Sequence, residues 1–314
     1  MKKSVFYLLL AFMLFFSCSA QGKAESGADA FTEEPLISNT LPVDFSGGIA
    51  PLPEGYHGES VYEDASIRVS VEYKDVSAYV PRYQGRNAGA WVVDIQIGNA
   101  SQLRTAPAVS FERGNSSPME KIADRVNAVV AINGDSATLL KEGLIIRQGI
   151  AFRDKLKGHR DVLLIDEDGD FHVFHLPKKG DLSDTVDGKA VVNAFYFGPI
   201  LVDNGEALKR MPDFQHLDPE EYLARIAICQ IGPLHYKLIV TTMIVDYTVG
   251  LRLEDFARLC ADEGARIAYN LDGGLSSSLY FRGQRINSQN KINFRDVPDI
   301  IYFVTAFNWE VVDE

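Results

Sequence analysis

The residues best suited to catalysis or ligand binding lie in the segment from Tyr269 to Ser278, which reads YNLDGGLSSS. An apolar run ends at Asp272, two glycines follow it, and three serines come after Leu275. Glycine tolerates positive φ and lets a ligand approach the main chain, and successive N–H groups in such a loop can bind an anion. Serine hydroxyls add donors. The segment therefore indicates an anion site beside a carboxylate, and a Gly-Gly hairpin turn with polar decoration is the simpler alternative.

A second apolar run ends in similar residues. The run 128–132 closes with Asn133-Gly134-Asp135-Ser136, much as the later run closes with Asn270-Leu271-Asp272. Each end supplies an amide and a carboxylate at a strand terminus, where side chains can converge on a cleft. An ordinary turn is the simpler interpretation of Asn133 and Asp135, because Asn-Gly-Asp is typical turn sequence.

Two arginines stand at the start of predicted strands. Arg160 precedes the strand 161–166, and Arg225 heads the strand 225–231. A guanidinium group can bind phosphate through two parallel hydrogen bonds. Most arginines are solvated surface groups, so position alone does not distinguish a phosphate ligand from a surface residue.

Periodicity predicts the elements that position these residues. Pro118 to Val126 and Arg252 to Glu263 predict helices, the second with its apolar residues on one face and Gly264 as its C-terminal stop. Alternating or continuous apolar runs predict strands at 67–73, 91–97, 128–132, 161–166, 171–175, 194–197, 225–231 and 236–245. Many strands, few helices and no regular βαβ alternation predict an α+β fold, with a large, mostly antiparallel or mixed sheet and a few flanking helices.

Composition limits the classes of partner. The chain has 314 residues, 46% of them hydrophobic, and a formal charge of −12. Lys and Arg form no dense cluster, so extended nucleic-acid binding is not expected, because that affinity depends on concentrated positive charge. The sequence contains no CxxC, HExxH or cysteine–histidine metal spacing and requires no cofactor. A divalent cation held by Asp135 and Asp272 is left as an alternative.

The N-terminus has the pattern of an export signal. Lys2-Lys3 precede an apolar run from Val5 to Phe16, which is too short to span a bilayer and is followed by Ser17-Cys18-Ser19-Ala20. We expect a signal peptide at 1–17 and a lipidated Cys18, with ordinary cleavage after Ala20 as the alternative. A polar tether at 18–60 and a domain at 61–314 follow, so the protein is predicted to be exported to a bacterial cell envelope and held at the membrane by its lipid.

Taken in order, the motifs resemble the phosphodiester glycosidase family, which includes the uncovering enzyme acting on N-acetylglucosamine-1-phosphodiesters. The resemblance covers residues 126–304. Its motifs are Asn133-Gly134-Asp135, Arg160 before the strand leading to Asp168-Gly169, Gly198-Pro199-Ile200-Leu201 with Gly205, Arg225-Ile226-Ala227-Ile228, Gly250-Leu251, Asn270-Leu271-Asp272-Gly273-Gly274, Ser276-Ser277 and Ile286-Asn287. Two positions depart from the family pattern: Leu275 stands where a third glycine is usual, and Ser136-Ala137 replaces an aromatic pair.

The resemblance implies hydrolysis of a glycosidic bond to phosphate, releasing a sugar and a phosphate monoester. It implies catalytic roles for Asp272, Asp135 and Arg225, with either acid activating water or stabilising the oxocarbenium-like sugar. The implied substrate-binding residues are Asn133, Arg160, Asn270, Gly273, Gly274, Ser276, Ser277 and Asn287. The expected partner is a phosphorylated glycan or sugar phosphodiester.

Three alternatives to this function stay open. The first is a phosphodiesterase that cuts the P–O bond. The second is a non-catalytic envelope lipoprotein that binds phosphorylated polysaccharide, which the departures at Leu275 and Ser136-Ala137 favour. The third is a carbohydrate-binding module. The aromatic content of 11% is unexceptional and gives no evident platform for stacking on sugars, which disfavours this alternative.

Overall fold

The computed structural model describes residues 49–80, 87–209, 217–243, 249–287 and 293–306. The predicted signal peptide, Cys18 and most of the predicted tether lie outside these residues. Within the described ranges, every helix is too short or too polar to cross a membrane.

The described part of the chain is built mainly from strands. The strands are β1 (Tyr56–His57), β2 (Val61–Glu63), β3 (Ile67–Asp75), β4 (Gly89–Ile97), β5 (Leu103–Pro107), β6 (Val130–Asn133), β7 (Gly143–Arg147), β8 (Ile150–Lys155), β9 (Val162–Asp166), β10 (Phe171–Phe174), β11 (Thr185–Val186), β12 (Lys189–Tyr196), β13 (Ile200–Asp203), β14 (Glu206–Ala207), β15 (Ile226–Gly232), β16 (His235–Thr241), β17 (Ile267–Asn270), β18 (Leu279–Phe281), β19 (Gln284–Arg285) and β20 (Asp299–Phe303). The α-helices are α1 (Met119–Arg125) and α2 (Leu253–Asp262). The sheet-dominated α+β class predicted from the sequence is confirmed.

Three antiparallel sheets form from these strands, where the sequence predicted one large sheet. The nine-stranded sheet has the order β1-β2-β3-β4-β16-β15-β17-β13-β14, and the five-stranded sheet has the order β19-β18-β6-β20-β5. The six-stranded sheet has the order β10-β9-β12-β7-β8, with β11 pairing to β12. The three sheets arise because strands next to each other in sequence, such as β17 and β18, join different sheets.

The main core lies between the nine-stranded sheet and the two smaller sheets. Strand β15 shows how period-2 alternation serves two layers: Ile226 and Ile228 face this core, while Ala227 and Cys229 face helix α2. Helix α1 covers the outer face of the five-stranded sheet. The layers therefore run from α2 through the large sheet and the small sheets to α1.

The described residues contact the domain from Ile49 onward. Ile49 forms a β-bridge with Thr305, and the Tyr56 ring packs 4.7 Å from Tyr62 and 5.8 Å from Phe281 between ring centroids. Tyr56 therefore contributes apolar surface that packs on the domain. The predicted boundary between tether and domain at residues 60 and 61 stays a prediction.

Candidate active site

Asp272 lies just beyond the end of β17, with a half-buried carboxylate. Ser136 Oγ donates to Asp272 Oδ2 at 2.7 Å, and Asn133 Nδ2 donates to the Asp272 carbonyl at 2.8 Å. Ser136 is in the left-handed region, at φ 56° and ψ 16°, which is uncommon for a residue other than Gly, Asn or Asp. The two strand ends predicted to converge therefore do so, around the Asp272 carboxylate.

Asp135 lies directly behind this contact and is fully buried. Its Oδ1 accepts from Arg147 Nη2 at 2.8 Å and from the Ala137 amide at 3.1 Å, and its Oδ2 accepts from the Tyr196 amide at 2.6 Å. These contacts fix the turn that carries the neighbouring serine. The predicted catalytic role of Asp135 stays a prediction, and its burial supports a positioning role instead.

A second buried carboxylate shares the same arginine. Arg147 Nη2 lies 3.3 Å from Asp299 Oδ2, and both side chains are fully buried. Burial first, and then the charge of Asp135, raise the pKa of Asp299 to about 7, although Arg147 acts in the opposite direction. A Cβ at Gly134 would lie 2.5 Å from Asp299 Oδ2, so only glycine lets the turn pass this carboxylate.

The Arg160 guanidinium lies against two aromatic rings. Its guanidinium carbon lies 5.8 Å from the centre of the Tyr196 ring and 5.3 Å from that of Phe197. Burial lowers its pKa, and nearby groups that oppose this change include Tyr196, Tyr269, Asp135 and Glu142. Within the described ranges, the guanidinium has no hydrogen-bond acceptor or ion-pair partner. A half-buried guanidinium in this state is well placed to receive phosphate oxygens.

A polar cluster beside Arg160 was not predicted from the sequence. Glu142 Oε1 lies 2.9 Å from His159 Nδ1 and accepts from the Tyr196 hydroxyl at 3.1 Å. Burial opposes ionisation of Glu142, but hydrogen bonds from His159 and Tyr196 lower its pKa overall. Arg153 Nη1 donates to the carbonyls of Ala137 and Glu142 at 2.8 and 3.1 Å, which fixes this segment. The only available signal was the position of Tyr196 at the end of an apolar strand.

Arg225 is buried, and its guanidinium group binds backbone carbonyls rather than lining an exposed cleft. Its Nε donates to the Leu251 carbonyl at 3.0 Å, and its Nη2 donates to the carbonyls of Glu221 and Asp218 at 2.6 and 3.3 Å. Burial lowers its pKa to about 10. These bonds use Nε and Nη2 to hold two backbone segments, so the geometry supports a positioning role, and the predicted catalytic role stays a prediction.

The loop after Asp272 crosses between sheets, so the hairpin interpretation is wrong. Strand β17 belongs to the nine-stranded sheet and β18 to the five-stranded sheet, with a 3-10 turn at Gly274–Ser276 between them. A Cβ at Gly273 would lie 2.6 Å from the Ala224 carbonyl oxygen. Gly274 has φ 58°, and its amide donates to the same carbonyl at 2.8 Å. An anion contact by the Gly274 amide would have to displace this bond.

The remaining predicted substrate ligands face the protein interior. Asn133 Oδ1 accepts from the Ser278 amide at 3.0 Å, and Asn287 Nδ2 donates to the Ser277 carbonyl at 2.9 Å. Asn270 Nδ2 donates to the Gly198 carbonyl at 2.8 Å. These amides hold the strand ends and the loop together. Ser276 and Ser277 are buried, and Leu275 is 43% exposed at the loop surface.

No metal centre accompanies this arrangement within the described ranges, where no three His, Cys, Asp or Glu side chains are grouped to hold an ion. The polar groups that this region offers for chemistry are the Asp272 carboxylate, the Ser136 hydroxyl, the Arg160 guanidinium and the Glu142 cluster. Together they can orient a carboxylate toward a reacting carbon and hold a negative charge nearby.

Two solved structures share the fold of this chain. The structure is similar to the zebrafish N-acetylglucosamine-1-phosphodiester alpha-N-acetylglucosaminidase catalytic domain auto-inhibited by its pro-peptide, with a TM-score of 0.62, 17% identity, and coverage of 79% of this chain and 85% of that chain. It is also similar to a hypothetical protein from Synechocystis, with a TM-score of 0.55, 16% identity, and coverage of 76% and 62%. At these identities the likeness shows a shared fold.

Sequence comparison identifies the family. No curated protein matches the chain. The family model described as phosphodiester glycosidase matches residues 126–304, which is more than half of the 314 residues. The chain therefore belongs to the phosphodiester glycosidase family, whose members are hydrolases of sugar phosphodiesters.

Proposed function

We propose that this protein is an exported hydrolase that cleaves the glycosidic C–O bond of a sugar-1-phosphodiester and releases the sugar and a phosphate monoester. The observation that carries the proposal is the half-buried Asp272 carboxylate, oriented by Ser136 at the end of β17. Arg160 is linked to it through Tyr196, whose ring lies 5.8 Å from the guanidinium and whose amide donates to Asp135, the neighbour of Ser136. Family membership supports the reaction class. The zebrafish protein, by its name, acts on an N-acetylglucosamine-1-phosphodiester, which makes that sugar the first to test.

The leaving group explains why one accessible carboxylate suffices. Ordinary glycosidases need a carboxylic acid to protonate a leaving alkoxide and a second carboxylate opposite it. A phosphate monoester has a second pKa of about 6 and departs with little protonation. The enzyme must therefore stabilise mainly the negative charge of the phosphate. Arg160, held against two aromatic rings, can do this, and its partial burial strengthens the attraction between guanidinium and phosphate.

Asp272 is then the group that acts at the anomeric carbon. It either activates the attacking water or stabilises the positive charge that develops on the sugar ring. Asp135 is less suited to this role because its side chain is fully buried and both of its oxygens accept hydrogen bonds from the protein. The hydrogen bond from Ser136 keeps one Asp272 oxygen oriented and leaves the other for the reaction.

Export rests on the pattern of the first twenty residues. Two lysines, an apolar run and a small-residue segment ending near Cys18 are typical of a signal with a lipidation site. A lipid on Cys18 would hold the domain at the envelope surface, where phosphorylated glycans are accessible.

Hydrolysis in ¹⁸O-labelled water tests the bond that is cut. The substrate is the methyl diester of N-acetylglucosamine-1-phosphate, and both products are analysed by mass spectrometry. Label in the sugar is the expected result, because water then attacks the anomeric carbon. Label in methyl phosphate or sugar phosphate would instead show a P–O phosphodiesterase. Binding without turnover across a panel of sugar phosphodiesters would show a non-catalytic binding protein.

A further inference from the structure

An open groove of about 800 Å³ lies between the nine-stranded sheet and the β18–β19 hairpin. Its floor is formed by β3 and β4 through Tyr73 and Trp91, and its opposite wall by the hairpin through Arg282, Arg285 and Ile286. The chemistry described above uses none of these side chains. We call this feature the Tyr73–Trp91 groove.

Its floor is an aromatic pair that the strand register creates. Tyr73 and Trp91 lie directly opposite each other on β3 and β4, and their rings pack edge to face with centroids 4.9 Å apart. Tyr73 is 56% exposed although it is a large ring. A Cβ at Gly89 would lie only 1.9 Å from the Tyr73 hydroxyl, so glycine makes room for the ring to lie along the sheet. Exposed rings of this kind bind the apolar faces of sugar rings and leave the hydroxyl groups in water.

The opposite wall supplies hydrogen-bond donors. Arg282 is exposed, lies over the Tyr56 ring at 5.3 Å and donates to the Gly58 carbonyl. Arg285 is held by Glu120 at 3.1 Å. A guanidinium group has five N–H donors, so Arg282 retains donors for hydroxyl or phosphate oxygens. An aromatic floor facing a wall of donors has the character of a carbohydrate subsite rather than of a protein-docking patch.

The register also places the groove relative to Asp272. Trp91 pairs with Val240, Val240 pairs with Ile226, and the Leu271 amide donates to the Ile226 carbonyl. Three strand spacings of about 4.8 Å therefore separate Trp91 from the residue before Asp272, which is about 14 Å. This distance is too long for the scissile sugar itself and suits a chain that continues from it.

The hairpin wall of the groove is also connected to the loop after Asp272. Ile286 lines the groove, and the next residue, Asn287, donates to the Ser277 carbonyl in the loop after Asp272. The groove and the active-site loop are thus joined through adjacent residues of one segment. A ligand that leaves the active site along this wall reaches the aromatic floor.

We propose that the Tyr73–Trp91 groove is a subsite for the glycan chain attached to the scissile phosphodiester, so the natural substrate is a phosphorylated polysaccharide. This inference rests on the proposed function, because it assigns the substrate class of the same active site. The sugar rings of the chain pack on Tyr73, and Arg282 binds their polar groups.

Comparing a small substrate with a polymeric one distinguishes binding in the groove from the hydrolytic reaction. The full-length protein is assayed on the methyl diester of N-acetylglucosamine-1-phosphate and on poly(N-acetylglucosamine 1-phosphate). Tyr73→Ala should lower kcat/KM on the polymer about tenfold, the loss expected for one good contact, and leave the methyl diester unchanged. Arg282→Asn should act in the same direction, and asparagine tolerates the positive φ of 56° at this position. Tyr73→Phe keeps the ring and should keep polymer activity, which makes it the matched control.

The outcomes distinguish failure of the subsite from failure of the function. Wild-type rates on the polymer in Tyr73→Ala and Arg282→Asn, or an equal loss on both substrates, would overturn the subsite and leave the hydrolase proposal standing. If the wild type hydrolyses neither substrate nor any other member of the panel of sugar phosphodiesters, the proposed function fails. The subsite is then tested by polymer binding in isothermal titration calorimetry, where equal affinity of wild type and Tyr73→Ala overturns it and a tenfold weaker variant supports it.

Discussion

The Ser136 side chain orients the Asp272 carboxylate through a hydrogen bond. The serine adopts a left-handed backbone conformation, and its hydroxyl donates to the carboxylate from a turn 136 residues away in sequence. Strained conformations of this kind persist where surrounding contacts hold them, and they cluster at functional sites. The pattern favours Asp272 as the reacting carboxylate.

Replacing this carboxylate tests its role directly. Asp272→Asn should lower kcat on the methyl diester by about 10³-fold, within the range for loss of a general base, because an amide can neither accept a proton nor carry charge. The melting temperature should stay close to that of the wild type, since the side chain is half-buried and the Asn133 contact uses only the main chain. Asp203→Asn, at an exposed strand end, is the control. Retained turnover in Asp272→Asn would remove the residue from the mechanism.

Arg160 should prove sensitive to a change that keeps its charge. Lysine cannot place a planar guanidinium on the Tyr196 and Phe197 rings or donate two parallel hydrogen bonds to phosphate. We expect Arg160→Lys to lower kcat/KM on the methyl diester by about 10- to 100-fold, the loss of about 1.4 to 2.8 kcal/mol. Arg266→Lys, on an exposed arginine, should have no effect. Equal kinetics for both variants would show that Arg160 does not bind the phosphate.

At the scale of elements, the turn after β6 is positioned by a close approach. Gly134 passes so near the Asp299 carboxylate that an added Cβ would overlap three of its atoms, at 2.5 to 2.7 Å. Gly134→Ala should therefore lower the free energy of unfolding by about 1 to 3 kcal/mol, the usual cost of overpacking. Denaturant titration measures this loss. Gly232→Ala, where a Cβ would meet nothing within 4 Å, is the matched control and should change stability little. Similar stabilities for the two variants would contradict the packing argument.

The elements also show which strands sequence patterns can predict. Strands β3 and β4 alternate apolar and polar residues over much of their length, and both were predicted from that period. Strands β7 and β20 are buried at all five positions and were not predicted, whereas β6 and β9, which are also buried throughout, were predicted from continuous apolar runs. Without alternation, a buried strand is recognised only by the length of its apolar run, and β7 has only three consecutive apolar residues. Helix α2 was predicted at 252–263 and found at Leu253–Asp262, because one apolar face of a helix is readable without its neighbours.

At the scale of the whole molecule, a buried carboxylate makes stability depend on pH. Asp299 has a pKa raised to about 7, so the folded protein favours its neutral form. A raised carboxyl pKa contributes stability that is fully present below about pH 4, near the unfolded value, and is lost as pH rises toward 7. The free energy of unfolding of Asp299→Asn should therefore rise relative to wild type between pH 4 and 7, because asparagine stays neutral. Urea titrations across this range test the effect, and parallel pH profiles would contradict it.

The proposed attachment of the protein to the envelope by a lipid can be tested at Cys18. In a bacterial host the wild type should partition with the membrane fraction, and Cys18→Ala should appear in the soluble exported fraction, because the lipid has no other attachment site in the predicted signal. Mass spectrometry of the mature N-terminus checks the modification. Soluble wild-type protein that begins after Ala20 would show ordinary cleavage instead.

The family, the α+β class, both helices and the strand ends that meet at Asp272 could be read from the amino-acid sequence alone. These features depend on local periodicity and on short motifs in a set order, which can be read from neighbouring residues. The sequence also offered Arg160 and Arg225 as phosphate-binding residues and did not distinguish between them.

The availability of polar side chains for chemistry became visible only in the folded molecule. Asn133 and Asn287 donate to backbone carbonyls, and Arg225 donates to three of them through Nε and Nη2, whereas Arg160 rests on aromatic rings. The fold also places a crossing between sheets after Asp272, where a hairpin was the simpler alternative. Burial and hydrogen-bond partners depend on contacts between residues far apart in the chain, so local sequence does not encode them.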